Sequence, residues 1–141
     1  MKTYNGPNLP PDKQVLYEMA DGLSYIHQQK LAHGNIKPNN ILVSLEGRIK
    51  ISDFGLISSC SACYPLCEVR STPPWVAPEV FKRNYSHKIL PESDVFSAGC
   101  VAFFFLSRDE QGGIHPFGDV NDPPQVQINI CRNDSVNINS N

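Results

Sequence analysis

Between Asp94 and Leu106 the chain is apolar almost all round, with Val95, Phe96, Ala98, Cys100, Val101, Ala102, Phe103, Phe104, Phe105 and Leu106 in one stretch. A helix of that kind belongs in the middle of a domain, covered on every side. The rest of the chain must therefore supply its cover. The whole chain is 141 residues, the length of one ordinary domain, and little that follows Leu106 looks able to pack on it. The strongest apolar run, Cys100 to Leu106, is far short of the roughly 20 residues a membrane helix needs. With 40% hydrophobic and 18% charged residues, wholesale disorder is excluded. A net charge of -2 and a pI near 6.0 give no basic field for nucleic acid or an acidic membrane surface, so neither is expected as a partner. Residues 1–7 carry no apolar core of a signal peptide. Five cysteines, an odd number without a secretory leader, read as reduced thiols rather than a disulfide framework.

The 12 prolines point to many enforced turns and helix ends. Residues 1–8 are polar and rich in Pro and Gly, and read as a loop. Val15, Leu16, Met19, Ala20, Leu23 and Ile26 then recur at the three-and-four spacing of one helical face. Asp12 is the expected N-cap, and the helix should end near Gln28-Gln29-Lys30. Residues 31–40 hold Gly34, Pro38 and three Asn, a loop unusually dense in polar side chains. Ile41-Leu42-Val43 and Ile49-Lys50-Ile51 flank Glu46-Gly47, the pattern of a small β-hairpin. Residues 56–76 have no sustained period and read as a long loop. Ala77-Pro78-Glu79-Val80-Phe81 opens a short helix with Pro at a tolerated early position. Residues 121–141 are rich in Asn, carry only Arg132 as a basic residue, and read as a polar tail, loop or frayed. The expected fold is mainly α with a small β-hairpin, α+β overall.

Four short motifs occur in one order: His33-Gly34-Asn35-Ile36-Lys37-Pro38-Asn39-Asn40, Asp53-Phe54-Gly55, Ala77-Pro78-Glu79, and Asp94-Val95-Phe96-Ser97-Ala98-Gly99. Together they resemble the C-terminal lobe of a protein kinase. The first is similar to the catalytic loop H-R-D-x-K-x-x-x-N, the second is D-F-G and the third A-P-E. The resemblance covers residues 9–120, a partial kinase domain between the loop of residues 1–8 and the tail of 121–141. Ile51–Leu56, Trp75–Glu79, Asp94–Val101 and His115–Gly118 are most similar to the kinase/endoribonuclease family of the unfolded-protein response, with the oligoadenylate-dependent ribonuclease family as a related alternative. Membership there implies a parent in the endoplasmic reticulum membrane, with this segment on its cytoplasmic side.

Phosphoryl transfer requires phosphates and metal ions held still while developing charge is neutralised. By the resemblance, Asp53 and Asn40 are the metal ligands, both hard oxygen donors of the kind magnesium takes, and with Lys37 they bind ATP-Mg. Lys37 and Asn35 stand at the catalytic positions, Lys37 steadying the transferring phosphate. Thr72 faces the acceptor. His33, Phe54 and Asp94 are scaffold, the first two stacked in a hydrophobic column and Asp94 anchoring the catalytic-loop backbone. Without that frame, an Asp before Phe-Gly simply caps a turn and Asn40 bonds its own loop.

Two positions depart from the family pattern. Asn35 replaces the catalytic aspartate, and an amide orients a hydroxyl without being a base near neutral pH. General-base help is worth about 10²–10⁴ in rate. Gly34 replaces the arginine that pairs with a phosphorylated activation loop, which puts loop activation in doubt although Ser58, Ser59, Ser61, Ser71 and Thr72 remain acceptors. The plain alternative for Gly34 is a turn that wants positive φ. Glu79 resembles a glutamate whose late arginine partner is not found here. No Gly-rich loop, strand lysine or partner glutamate of an N-terminal lobe is found either, so the chain is expected to be a fragment.

Cys60, Cys63 and Cys67 offer a rival zinc site without an evident fourth ligand. Three readings stay open: a serine/threonine kinase-like domain with impaired catalysis; a pseudokinase acting on a protein or homodimer partner; and an interaction module using Phe103-Phe104-Phe105.

Overall fold

The computed structural model describes residues 8–53, 58–59, 73–82 and 89–138. Helix α1, Asp12–Gln28, buries Val15, Met19, Leu23 and Ile26 on the face that the spacing predicts. Its N-cap is Pro11, with φ -53° and ψ 144°, rather than Asp12. Asp12 is the first helical residue, where a carboxylate complements the helix dipole, and its side chain is drawn off to Arg108 at 2.6 Å.

The hairpin is as expected. Strands β2 (Ile41–Val43) and β3 (Ile49–Ile51) pair antiparallel, Ile41 opposite Ile51 and Val43 opposite Ile49. Gly47 closes the turn at φ 72°, a value that favours glycine. Glu18 pins the hairpin to α1: its carboxylate accepts from the Ile49 N–H at 2.7 Å and pairs with Arg48 at 2.7 Å. The Ile49 N–H is the main reason its carboxyl sits below the ordinary range. A second two-stranded pair joins β1 (Leu31–Ala32) to β4 (Ser58–Ser59).

Helix α2 is Pro78–Lys82 and helix α3 is Pro91–Leu106. One core gathers Val15, Met19 and Leu23 of α1, Ile36, Ile49, Trp75, and Cys100 and Val101 of α3. Trp75 meets the Phe104 ring edge-on at 5.4 Å and the His115 ring at 4.7 Å. Phe105 lies under the Arg108 guanidinium at 3.8 Å.

A second expectation needs correction. The polar tail contains a helix, α4, at Pro123–Arg132, whose Val126 and Ile130 are 0% and 2% exposed and join the core beside Phe117. Asp122 caps it by accepting from the Gln125 N–H, Pro stands in its first turn, and Asn133 in the left-handed region ends it. As the shortage of cover after Leu106 leads one to expect, α3 is not covered on all sides. Its buried residues are Ser93, Asp94, Ser97, Cys100 and Val101. Val95 is 60% exposed, while Ala98, Gly99 and Ala102 floor an open groove walled by Leu16, Met19 and Leu23 of α1.

Candidate functional site

The loop after β1 is fixed from below by α3. Asp94, 1% exposed, accepts from the His33 N–H at 2.7 Å and the Gly34 N–H at 2.8 Å. The His27 ring adds a third contact to the same carboxylate at 2.9 Å. The expected anchoring role of Asp94 is what the geometry shows. His33 is fully buried, and its Nδ1 accepts from the Asn35 N–H at 3.2 Å. Its proton must then sit on Nε2, which donates to the Ser52 carbonyl at 2.9 Å. His33 thus ties the loop to the end of β3.

Gly34 has φ 77°, and a Cβ there would stand 2.6 Å from Ile89 Cδ1. The backbone reading of this glycine is realised. Lys37 has extended backbone, is partly buried, and heads the 3₁₀ turn Pro38–Asn40. Asn40, buried, donates from Nδ2 to the Asn35 carbonyl at 2.8 Å, while its own carbonyl accepts from the Ser52 N–H at 2.9 Å.

Asp53 follows β3 with φ 64°, a left-handed backbone that costs a non-glycine residue about 1–2 kcal/mol. That turn aims its carboxylate at the loop. Asn35 Nδ2 donates to Asp53 Oδ2 at 2.6 Å, and Asn40 Nδ2 reaches the same oxygen at 3.3 Å. The site therefore brings Asn35, Asn40 and Asp53 together, as the sequence predicts. Asn35 is 5% exposed, and its Oδ1 has no hydrogen-bond partner among the described residues. The amide cannot be turned round without setting Oδ1 against the carboxylate. Phe54, Thr72 and the cysteines 60, 63 and 67 lie outside the described residues, and with them the hydrophobic column, the acceptor threonine and the zinc alternative. Among the described residues no three His, Cys, Asp or Glu side chains gather for a metal ion.

Glu79 has a partner of another kind than arginine: the Ser93 hydroxyl donates to it at 2.7 Å. Ser97 donates to the Trp75 carbonyl at 2.6 Å. Neither serine, nor His27, is singled out by sequence reasoning. Their signal was faint: Ser93 and Ser97 are the hydroxyls that an otherwise apolar helix has to satisfy.

Chemically, the trio sets one carboxylate against two amide N–H groups. Asp53 and Asn40 carry oxygens of the kind magnesium takes, but Asn40 turns its Nδ2 rather than Oδ1 toward Asp53. Position 35 offers an N–H donor and a neutral oxygen where transfer chemistry uses a base. The protein kinase domain family matches residues 10–138. The chain belongs to that family. It is 36% identical over 114 residues to the serine/threonine-protein kinase/endoribonuclease IRE2 of Homo sapiens, across 74% of this chain and 12% of that protein. It is 33% identical over 134 residues to mitogen-activated protein kinase kinase kinase 1 of Arabidopsis thaliana, across 94% of this chain and 21% of that protein. It is 39% identical over 95 residues to the serine/threonine-protein kinase PEPKR2 of the same plant, across 67% of this chain and 18% of that protein. The chain thus spans about a fifth or less of the curated relatives it matches. It is a serine/threonine protein kinase-like domain, and relatives of several branches match it at similar identity.

Proposed function

We propose that the chain supplies the lower half of an ATP-Mg cleft in a serine/threonine kinase-like protein of the kinase/endoribonuclease stress-response type, and that phosphoryl transfer there is impaired. The observation that carries the reading is the 2.6 Å bond from Asn35 Nδ2 to Asp53. It commits the donor side of the amide to Asp53 and leaves Oδ1 buried. An amide at this position takes no proton from an acceptor hydroxyl near neutral pH. Asn40 and Asp53 would hold magnesium, which when bound neutralises charge on the phosphates. Lys37 would steady the transferred group.

The branch is supported by the motifs quoted above and by likeness to two relatives described as kinase/endoribonucleases, in Homo sapiens and Caenorhabditis elegans. On this reading the segment faces the cytoplasm at the endoplasmic reticulum membrane, and its partners are a protein substrate or a second copy. No described helix is long and apolar enough to cross a membrane. The test is labelled-phosphate transfer by the native product carrying this chain, immunopurified with an antibody to residues 1–30. Its Asn35→Asp form should transfer about 10²–10⁴-fold faster. Equal rates would refute impaired catalysis.

A second reading, a pseudokinase that works by binding a partner, shares the same contact. It gains ground if both forms bind nucleotide and neither transfers phosphate.

A further inference from the structure

We infer that the Asn35 amide stands in for a cation on Asp53, so that the site is held together without divalent metal and takes up Mg2+ only weakly. The inference rests on the proposed nucleotide site, whose metal ligands it concerns. An aspartate at position 35 would put a second carboxylate at hydrogen-bond range of Asp53. Two carboxylates so close cannot both stay ionised unless a proton or a cation lies between them. A site built that way is unstable when empty and tightened by metal. Asn35 reverses this, because its Nδ2 donates to Oδ2 at 2.6 Å and Asn40 Nδ2 adds a second N–H at 3.3 Å.

Both hydrogens fall on Oδ2 of Asp53, so only its Oδ1 is left to a metal without disturbing the amides. Magnesium needs short oxygen contacts in near-ideal octahedral geometry. Binding it through Oδ2, or with both oxygens, displaces the Asn35 amide and leaves a donor unpaired on a residue only 5% exposed. Its Oδ1, already without a partner among the described residues, gives that side chain no second bond to fall back on. The left-handed turn at Asp53, φ 64°, keeps the carboxylate facing the two amides. The cost of unpairing the amide corresponds to roughly tenfold to a hundredfold weaker Mg2+ binding than with aspartate at position 35.

The experiment is thermal unfolding of the full chain with Mg2+ alone, from EDTA through millimolar metal, so no nucleotide and no catalysis enter. The wild-type midpoint is expected to stay constant. Asn35→Asp should unfold at lower temperature in EDTA and recover as Mg2+ is added, by linkage of metal binding to the folded state. Should Asn35→Asp not fold, Asn35→Ala serves, since it removes the donor without adding charge and should acquire a Mg2+ response that the wild type lacks. Asp53→Asn should abolish either response. A wild-type midpoint that climbs with Mg2+ as steeply as that of Asn35→Asp overturns the inference. So does a folded Asn35→Ala that ignores the metal, or a response that survives Asp53→Asn. Phosphate transfer by the wild type would defeat the impaired-kinase reading while leaving a flat Mg2+ titration intact, so the two failures are told apart.

Discussion

At position 34 a single hydrogen atom in place of a side chain sets what the loop can carry. Its φ of 77° is open to glycine, and the nearest heavy atom to a built Cβ is Ile89 Cδ1 at 2.6 Å. Ile89 can swing its terminal methyl aside, so the backbone term dominates, at about 1–2 kcal/mol for an L side chain. Gly34→Arg, which restores the residue that kinases carry there, should therefore lower the unfolding midpoint by several degrees. An unchanged midpoint would mean that the loop relaxes out of the left-handed region. The same scale shows what sequence could and could not reveal. Asn35, Asn40 and Asp53 were legible because each is a fixed offset within a short motif. That Asn35 donates to Asp53 was not, because the choice between the two ends of an amide depends on a neighbour 18 positions away that is reached only in the folded state.

Among the elements, α1 and the hairpin were legible and α4 was not. The α1 face repeats over 17 residues, and the β2–β3 pair is local. α4 has only 10 residues, and its buried side is Val126 and Ile130 with a polar Asn129 between them, which blurs the apolar period. Asn129 is polar for a reason: it donates to the Phe117 carbonyl at 2.9 Å and so fastens the helix to the preceding turn. The Asp122 cap, the prolines after it and Asn133 were the available signals, diluted among many Asn and Pro. Ile130→Ala should cost about 2–5 kcal/mol, measured by chemical denaturation. A frayed tail would show almost no change. The Phe run of α3 marked an apolar helix short of cover, but hydropathy alone does not say which of its faces the other elements reach.

For the whole molecule, the junction between the Trp75 turn and α4 runs through His115. It is 1% exposed, its Nδ1 accepts from the Phe117 N–H, and its carbonyl accepts from Asn137. Burial pushes its pKa down from 6.5 to about 4, against a smaller opposing pull from the Pro74 carbonyl. The unfolded chain therefore binds the proton more readily than the folded one. Stability is fully present above about pH 6.5 and is lost as pH falls toward 4, by at most about 3 kcal/mol. Denaturant midpoints across that window should show the decline, and His115→Gln should flatten it. A wild-type profile level between pH 7 and 4 would contradict the assignment.

The backbone protons of His33 and Gly34 are held by a carboxylate that enters the chain 61 and 60 positions later. They can trade with solvent deuterium only when α3 separates from the loop. The exchange clock of this polar loop is therefore set by the slow opening of the molecule's centre.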